Sequence, residues 1–341
     1  MQLSIGEDRL TKGNRKMKKQ LKFREDSSFV IVQFSDVEIL DEFDYDPETP
    51  LYDAKTKALM ERVMDAEKPD LVVFAGDVVA SNRARDPLES FRRAVEAVEA
   101  RGIPWAAVFG NHDSEGVVPR KQMHDLQLQY AHNVAEEDPE GVEGAGNFVV
   151  HVTDEDDHTA AALYFFDSGD YAQQGHRVGG YDWIRRSQID WYTGRSSELT
   201  ARNGGEPLPA LAFFHIPLPE YNDLWDFHTC YGHRFDNWCS APNINSGMFS
   251  AMVDMGDVMG TFVGHDHGND FWGELHGIRL CYGRSTRYVS FVDGVRHDLV
   301  PTGARVIRLK QGEKQFETWI RQTDGSVVHE QPEHKPEGRK V

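Results

Sequence analysis

Short apolar runs recur along this chain, and several stop abruptly at a residue able to bind a cation. Phe29-Val30-Ile31-Val32-Gln33-Phe34 runs into Ser35-Asp36, Leu71-Val72-Val73-Phe74-Ala75 into Gly76-Asp77, and Trp105-Ala106-Ala107-Val108-Phe109 into Gly110-Asn111-His112-Asp113. Further on, Leu211-Ala212-Phe213-Phe214 ends at His215, and Thr261-Phe262-Val263-Gly264 ends at His265-Asp266-His267. Runs this short, bounded by turn-forming residues, predict buried strands. Between the first three lie helical patterns. One covers about 54–66, with Leu59, Val63 and Met64 on one side. The second starts at Pro87 after a capping Asp86, places Leu88, Phe91, Val95 and Val98 at helical spacing, and ends at Gly102. A β-α-β-α-β order implies parallel strands and right-handed crossovers, so Asp36, Asp77 and Asn111 fall along one sheet edge. That edge is where α/β sheets gather their ligands.

The second half carries more strand signal, at 147–152, 161–166, 211–215, 261–263, 278–282, 305–309 and 315–320. Asp324-Gly325 suits a hairpin turn, helices are expected around 183–199 and 246–255, and loops at 169–180 and 221–245. No repeat, low-complexity linker or break in composition divides the chain. The expectation is one α/β domain, a two-sheet β-sandwich flanked by helices, over residues 28–328, with a basic arm at 1–27 and a polar tail at 329–341.

Composition narrows the partners. The formal charge of −19 at pH 7 argues against broad binding to nucleic acid or an anionic membrane through a basic surface. The arm with Arg15, Lys16, Lys18, Lys19, Lys22 and Arg24 reads as a solvated end. No segment is long and apolar enough to span a bilayer, and residues 1–26 lack the apolar core of a signal peptide, so a cytoplasmic location is expected unless processing or re-cloning removed an export signal. Cys230, Cys239 and Cys281 cannot all pair within one chain and demand neither a disulfide framework nor a cysteine zinc site; a Cys230–Cys239 link stays open.

The strand-end residues suit two-metal hydrolysis. Two cations a few ångströms apart need a shared carboxylate, further oxygen and nitrogen ligands, and an open side for water and a phosphoester substrate. Asp77 suits the bridge, and a bridging hydroxide would attack phosphorus in line. His112, next to the ligand-type Asn111, would stay off the metals and either protonate the leaving oxygen or hydrogen-bond the phosphate. Asp113 would orient that histidine.

The ordered set of Asp36-x-Glu38, Gly76-Asp77, Gly110-Asn111-His112-Asp113, His215 and Gly264-His265-Asp266-His267 resembles the calcineurin-like metallophosphoesterase superfamily. The segments GNHDSEG, LYFFDSGDY, FFHIPLPEY, NSGMF, GHDHGNDF and GIRLCYGR resemble the branch holding yeast Dcr2-type phosphatases and the plant purple acid phosphatases most like them, over about 29–309. The resemblance implies the superfamily's four-layer fold, with one metal held by Asp36, Asp77 and His267 and the other by Asp77, Asn111, His215 and His265. It leaves manganese, iron, zinc and magnesium open, as divalent or mixed-valence ions. Two departures stand out. Where the superfamily has Asp-x-His, this chain has Glu38, an oxygen donor that would shift preference from softer ions toward manganese or magnesium, or leave the first site weak. Where purple enzymes place a ferric-binding tyrosine, this chain has Ala80, so no iron-tyrosinate centre is expected.

Other candidates compete with plainer readings. His228 and His233 near Cys230 and Cys239 mimic a zinc cluster, but the spacing favours a loop. His176 and Tyr171 could line the pocket. Arg284 and Arg287 could clamp phosphate or form surface salt bridges. Trp225 and Trp238 suit packing. The expected function is a metal-dependent phosphoester hydrolase, first a phosphomonoesterase. The alternatives are a phosphodiesterase of the same fold, a non-catalytic binding protein with an incomplete site at Glu38, and an interaction module working through its basic arm or aromatic loops. P-loop, nucleophile-elbow and H-E-x-x-H motifs are absent.

Overall fold

The computed structural model describes residues 20–40, 48–172, 177–235, 238–288, 290–292, 295–297 and 301–336. The run Ser28–Phe34 is a strand buried along its whole length. It pairs in parallel with Leu71–Ala75, which pairs in parallel with Trp105–Val108. On its other side the sheet continues antiparallel through Gly303–Lys310, Phe316–Gln322 and Val327–Val328, the last two joined through the expected turn at Asp324-Gly325. A second, nine-stranded sheet has a parallel centre made of Thr159–Phe165, Ala210–Phe213, Val258–Val263 and Ile278–Tyr282.

Side chains alternate across each strand, so every strand feeds two layers. Phe29 and Ile31 of the first sheet point inward with Leu71, Val73, Ala106 and Val108, against Leu163, Phe165, Leu211, Phe213 and Phe262 of the second. Aromatic rings form a ladder through this inner core, with centroids 4.5 Å apart for Phe148–Phe165, 5.2 Å for Phe165–Phe213 and 5.3 Å for Phe213–Phe262. Val30, Val32 and Phe34 point outward into a cluster with Leu59, Val63, Phe91 and Val95 of helices Thr49–Glu67 and Pro87–Ala100. Helices Arg186–Arg202 and Met248–Met255 cover the outer face of the second sheet. The result is the expected two-sheet sandwich flanked by helices. Asp86 caps Pro87–Ala100 as anticipated, accepting hydrogen bonds from Leu88 N at 3.0 Å and Glu89 N at 3.1 Å.

Several boundaries differ from the pattern reading. The first helix begins at Thr49, earlier than its apolar spacing shows. The segment expected as a loop at 221–245 contains helix Glu220–Phe227 and strand Cys230–Tyr231, hidden because only Tyr221 and Leu224 of the helix are buried. Leu21–Lys22, expected within the arm, pairs with Phe148–Thr153, and Phe23 beside it is buried. Glu333–His334, expected within the tail, pairs with Cys230–Tyr231, and Gln331 is buried. Two-residue edge strands carry no periodicity and are recognised only by their partners. The rest of the arm through residue 19, the last residues 337–341, and His176 lie outside the described residues. All three cysteines are free and buried, so Cys230 and Cys239 are not linked. Among the described residues no helix is long and apolar enough to cross a membrane.

Candidate metal centre

The strands deliver their terminal residues to one edge, and the backbone there is strained. Of the eight described non-glycine residues in the left-handed region, four are Asp36 (φ 53°), Glu38 (φ 46°), Asp77 (φ 47°) and His265 (φ 79°). Such conformations cost about 1–3 kcal/mol each and persist only where surrounding structure imposes them. Here the imposing bonds run from Asp36 N to Gly76 O at 3.2 Å, Glu38 N to Asp77 O at 2.9 Å, and Ile39 N to Val78 O at 3.0 Å. Gly110 permits a close approach. A Cβ there would overlap Asp77 Oδ1 and the His215 ring.

Three groups of donor atoms converge, each with its atoms within 4.8 Å of one another: Asp77, His215 and His265; Asp36, Asp77 and His267; and Glu38, Asp77 and His112. Asp77 belongs to all three, as a bridging carboxylate would. His215 donates from Nδ1 to Ala75 O at 2.9 Å, which fixes the ring's orientation and turns Nε2 toward Asp77 Oδ2, 2.9 Å away. Burial pulls the ring down, but the Asp77 carboxylate outweighs it and raises the imidazolium to about 9, a proton that a cation at Nε2 would displace. Asn111 donates from Nδ2 to Tyr171 Oη at 3.2 Å, which turns its Oδ1 inward. Asn111 Oδ1 and both ring nitrogens of His265 are buried without a hydrogen-bond partner, while Asp77 Oδ2 and His215 Nε2 face only each other. An unpaired buried polar atom costs roughly 1–3 kcal/mol, so these three together are a standing penalty that cations would relieve. Burial, followed by the nearby His215, holds His265 well below the ordinary histidine range, which keeps it in the neutral form a metal requires. The residues present therefore fit a pair of cations.

His112 is the most exposed of these groups, with 34% of its side chain accessible. Its Nδ1 lies 2.7 Å from Glu115 Oε2, not against Asp113. Burial pulls His112 down, but the Asp77 charge and the Glu115 bond outweigh it and raise the imidazolium to about 11. Glu115 is itself held by Asn82 Nδ2 at 2.8 Å and Tyr171 Oη at 2.5 Å. The expectation that Asp113 orients His112 is thus corrected. Asp113 is fully buried, and its two oxygens accept from Val79 N and Gly110 N, both at 2.8 Å, which ties the Asp77 loop to the Asn111 loop. Glu115 is the residue that pattern reading missed. Its signal was available, because it stands three positions after His112 on the tight turn beginning His112–Ser114, where i and i+3 side chains meet.

Glu38 is buried and faces the centre. Its Oε1 is 3.5 Å from His267 Nε2, and its Oε2 is 3.4 Å from Arg287 Nε. Neither Arg284 nor Arg287, read as a phosphate clamp or a surface salt bridge, is at the surface. Arg287 is buried behind Glu38, and Arg284 is buried in an ion pair with Asp270. Tyr171 does line the edge, stacked on Tyr181 at 5.5 Å, while Tyr181 meets the His265 ring edge-on at 4.4 Å. His228 is exposed and His233 pairs with Asp270, so neither joins a metal cluster among the described residues. Trp225 packs on Phe271 and His334, as a packing residue should, and Trp238 is exposed.

Residues 29–269 match the family model for calcineurin-like phosphoesterase. The chain belongs to the calcineurin-like phosphoesterase family. Its relatives include an Arabidopsis thaliana protein named "Probable inactive purple acid phosphatase 29", 37% identical over 70% of this chain and 65% of that one. "Phosphatase DCR2" of Saccharomyces cerevisiae is 33% identical over 77% of this chain and 49% of that one. The chain thus spans about two thirds of the first relative and half of the second. A dimetal phosphatase from Danio rerio shares the fold with a TM-score of 0.54 at 13% identity, covering 85% of this chain and 98% of that one. This calcineurin-like family is dimetal-dependent, and the cluster around Asp77 is the candidate place for its metals in this chain.

Proposed function

We propose that this calcineurin-like chain is a metal-dependent phosphoester hydrolase acting on phosphomonoesters. The observation that carries the reading is the convergence of three donor groups on Asp77, with Asn111 Oδ1 and both His265 ring nitrogens buried there and partnerless. Asp36, Glu38, Asp77 and His267 would hold one cation, and Asp77, Asn111, His215 and His265 the other. Bound there, the pair would supply Lewis acidity and make a nearby water acidic enough to serve as nucleophile at neutral pH.

The chain's own groups do the rest. The Ala75 carbonyl holds the His215 ring in one orientation, and Tyr171 does the same for Asn111. Glu115 takes the Nδ1 side of His112, which leaves Nε2–H to donate to the leaving oxygen. Tyr181 shields His265 from water on one side. The monoester reading is supported by the yeast relative being named a phosphatase.

A second reading, metal binding without turnover, is favoured by Glu38 in place of histidine and by the Arabidopsis relative being named inactive. One experiment separates them. Chelator-stripped protein is reloaded with manganese, iron, zinc or magnesium, bound metal is counted, and turnover of p-nitrophenyl phosphate and its bis-ester is measured. Two ions per chain with monoester turnover is the expected result. Two ions without turnover of either ester would leave the second reading, and fewer than two with every cation would overturn the dinuclear centre itself.

A further inference from the structure

Glu38 brings a negative charge where the resemblance expects a neutral ring, and the structure supplies a matching positive one. Arg287 is 1% exposed, its Nε lies 3.4 Å from Glu38 Oε2, and its Nη1 donates to the Glu38 backbone oxygen. Its own backbone N–H donates to Asp36 O at 3.2 Å, so the same residue fastens both ends of the Asp36-Val37-Glu38 turn. Behind it stands Asp53, with Oδ1 3.4 Å from Nη1 and Oδ2 accepting from Leu40 N at 3.1 Å. Nε and Nη2 of Arg287 lack a hydrogen-bond partner, so what Glu38 Oε2 meets is chiefly a buried charge.

This geometry divides the labour of the Glu38 carboxylate. Oε2 faces the guanidinium, while Oε1 faces His267 and the centre, 3.5 Å from Nε2. A carboxylate held in this way offers one donor atom, as an imidazole would, and the guanidinium offsets its charge. We infer that Glu38 and Arg287 form one unit standing in for a neutral imidazole, with an oxygen donor that makes the centre prefer hard cations such as manganese or magnesium over zinc. The inference rests on the dinuclear reading above. Arg287 is a positioning residue in it.

If the two side chains are one unit, changing one should be worse than changing both. The test loads chelator-stripped wild type, Glu38→His, Arg287→Met and the double variant from an equimolar mixture of manganese and zinc. It reads metal content per chain and the rise in melting temperature on loading. Wild type is expected to hold two ions with manganese favoured. Glu38→His leaves the buried guanidinium facing a neutral ring, with Asp53 as its remaining carboxylate partner, and is expected to lose one ion. The double variant is expected to regain it and to shift the zinc-to-manganese ratio at least about tenfold toward zinc, given the nitrogen donor. Two ions in Glu38→His, or no recovery in a folded double variant, would overturn the coupling while leaving the dinuclear centre standing. Fewer than two ions in wild type with every cation would overturn both. Should Arg287→Met not fold, Glu38→Gln keeps the side-chain shape without touching Arg287 and is expected to lose one ion, whereas Arg287→Lys keeps the charge and is expected to hold two; the opposite result in either overturns the unit.

Discussion

Replacing Asp113 by alanine should destabilise the protein whether or not metal is bound. In the native structure the two carboxylate oxygens receive Val79 N and Gly110 N, both at 2.8 Å and both buried. Alanine leaves two backbone N–H groups with no acceptor and no route to water, at roughly 1–3 kcal/mol each, so the loss is about 2–6 kcal/mol. An unfolding entropy of about 2.1 cal/mol/K per residue converts this into a fall in melting temperature of about 3–8 °C for a chain of this length. The assay is thermal unfolding followed by circular dichroism, in chelator to remove any contribution from metal. Burial, then the Asp77 charge, push Asp113 up to about 7, so pH 8 is the condition at which its carboxylate accepts both bonds. Glu115→Ala is the contrast, because Glu115 is only partly buried and its partners His112, Asn82 and Tyr171 are side chains that can turn to water, so the loss should be smaller, about 1 kcal/mol. An unchanged midpoint for Asp113→Ala, with turnover abolished, would refute the reassignment and return Asp113 to the role of orienting His112.

Glu115→Gln keeps the size of the side chain but removes its charge from His112 Nδ1. It should lower kcat on p-nitrophenyl phosphate by part of the roughly 10²–10⁴-fold that a positioned acid contributes, with KM little altered; an unchanged kcat would count against Glu115 as the partner of His112. Gly110→Ala places a methyl group against Asp77 Oδ1 and the His215 ring. Overpacking of this kind costs about 1–3 kcal/mol, so the variant should fold yet hold fewer ions per chain by elemental analysis, and full loading would contradict the close approach. His124 accepts from Gln127 Nε2 at 2.9 Å and donates to Glu136 O at 3.0 Å, and burial lowers its pKa below the ordinary histidine value. The folded state therefore favours the neutral ring, and stability should fall as pH drops below about 6.5, where the unfolded chain takes up the proton. His124→Gln should flatten that slope in chemical denaturation between pH 7 and 5, and an unchanged slope would show that other groups set it.

The sequence was most legible where a run had to be buried on both faces. Ser28–Phe34, Leu71–Ala75 and Trp105–Val108 follow directly from apolar runs, and their parallel order follows from the helices between them. Asp36, Asp77, Asn111, His215, His265 and His267 could be named because strand ends in a parallel sheet share an edge, and the chain's pattern fixes where strands end. Leu21–Lys22, Cys230–Tyr231 and Glu333–His334 were not legible, since two residues have no period and their only signal is the partner they meet.

By itself, the sequence determined which strand-end side chains carry cation-type donor atoms, that they would lie at one edge of a sheet sandwich, and that position 38 carried a carboxylate. Tertiary structure alone decided what each of those groups faces. Asp113 and Glu115 are two carboxylates within a few positions of His112, and only the direction of the tight turn sends one into the backbone of two loops and the other onto the imidazole. Glu38 and Arg287 are separated by 249 positions, yet they meet across the sheet edge. Periodicity records whether a residue is buried. Which buried charge stands beside which is set by distances of a few ångströms between segments far apart in the chain, and those distances exist only once the sheets have closed on each other.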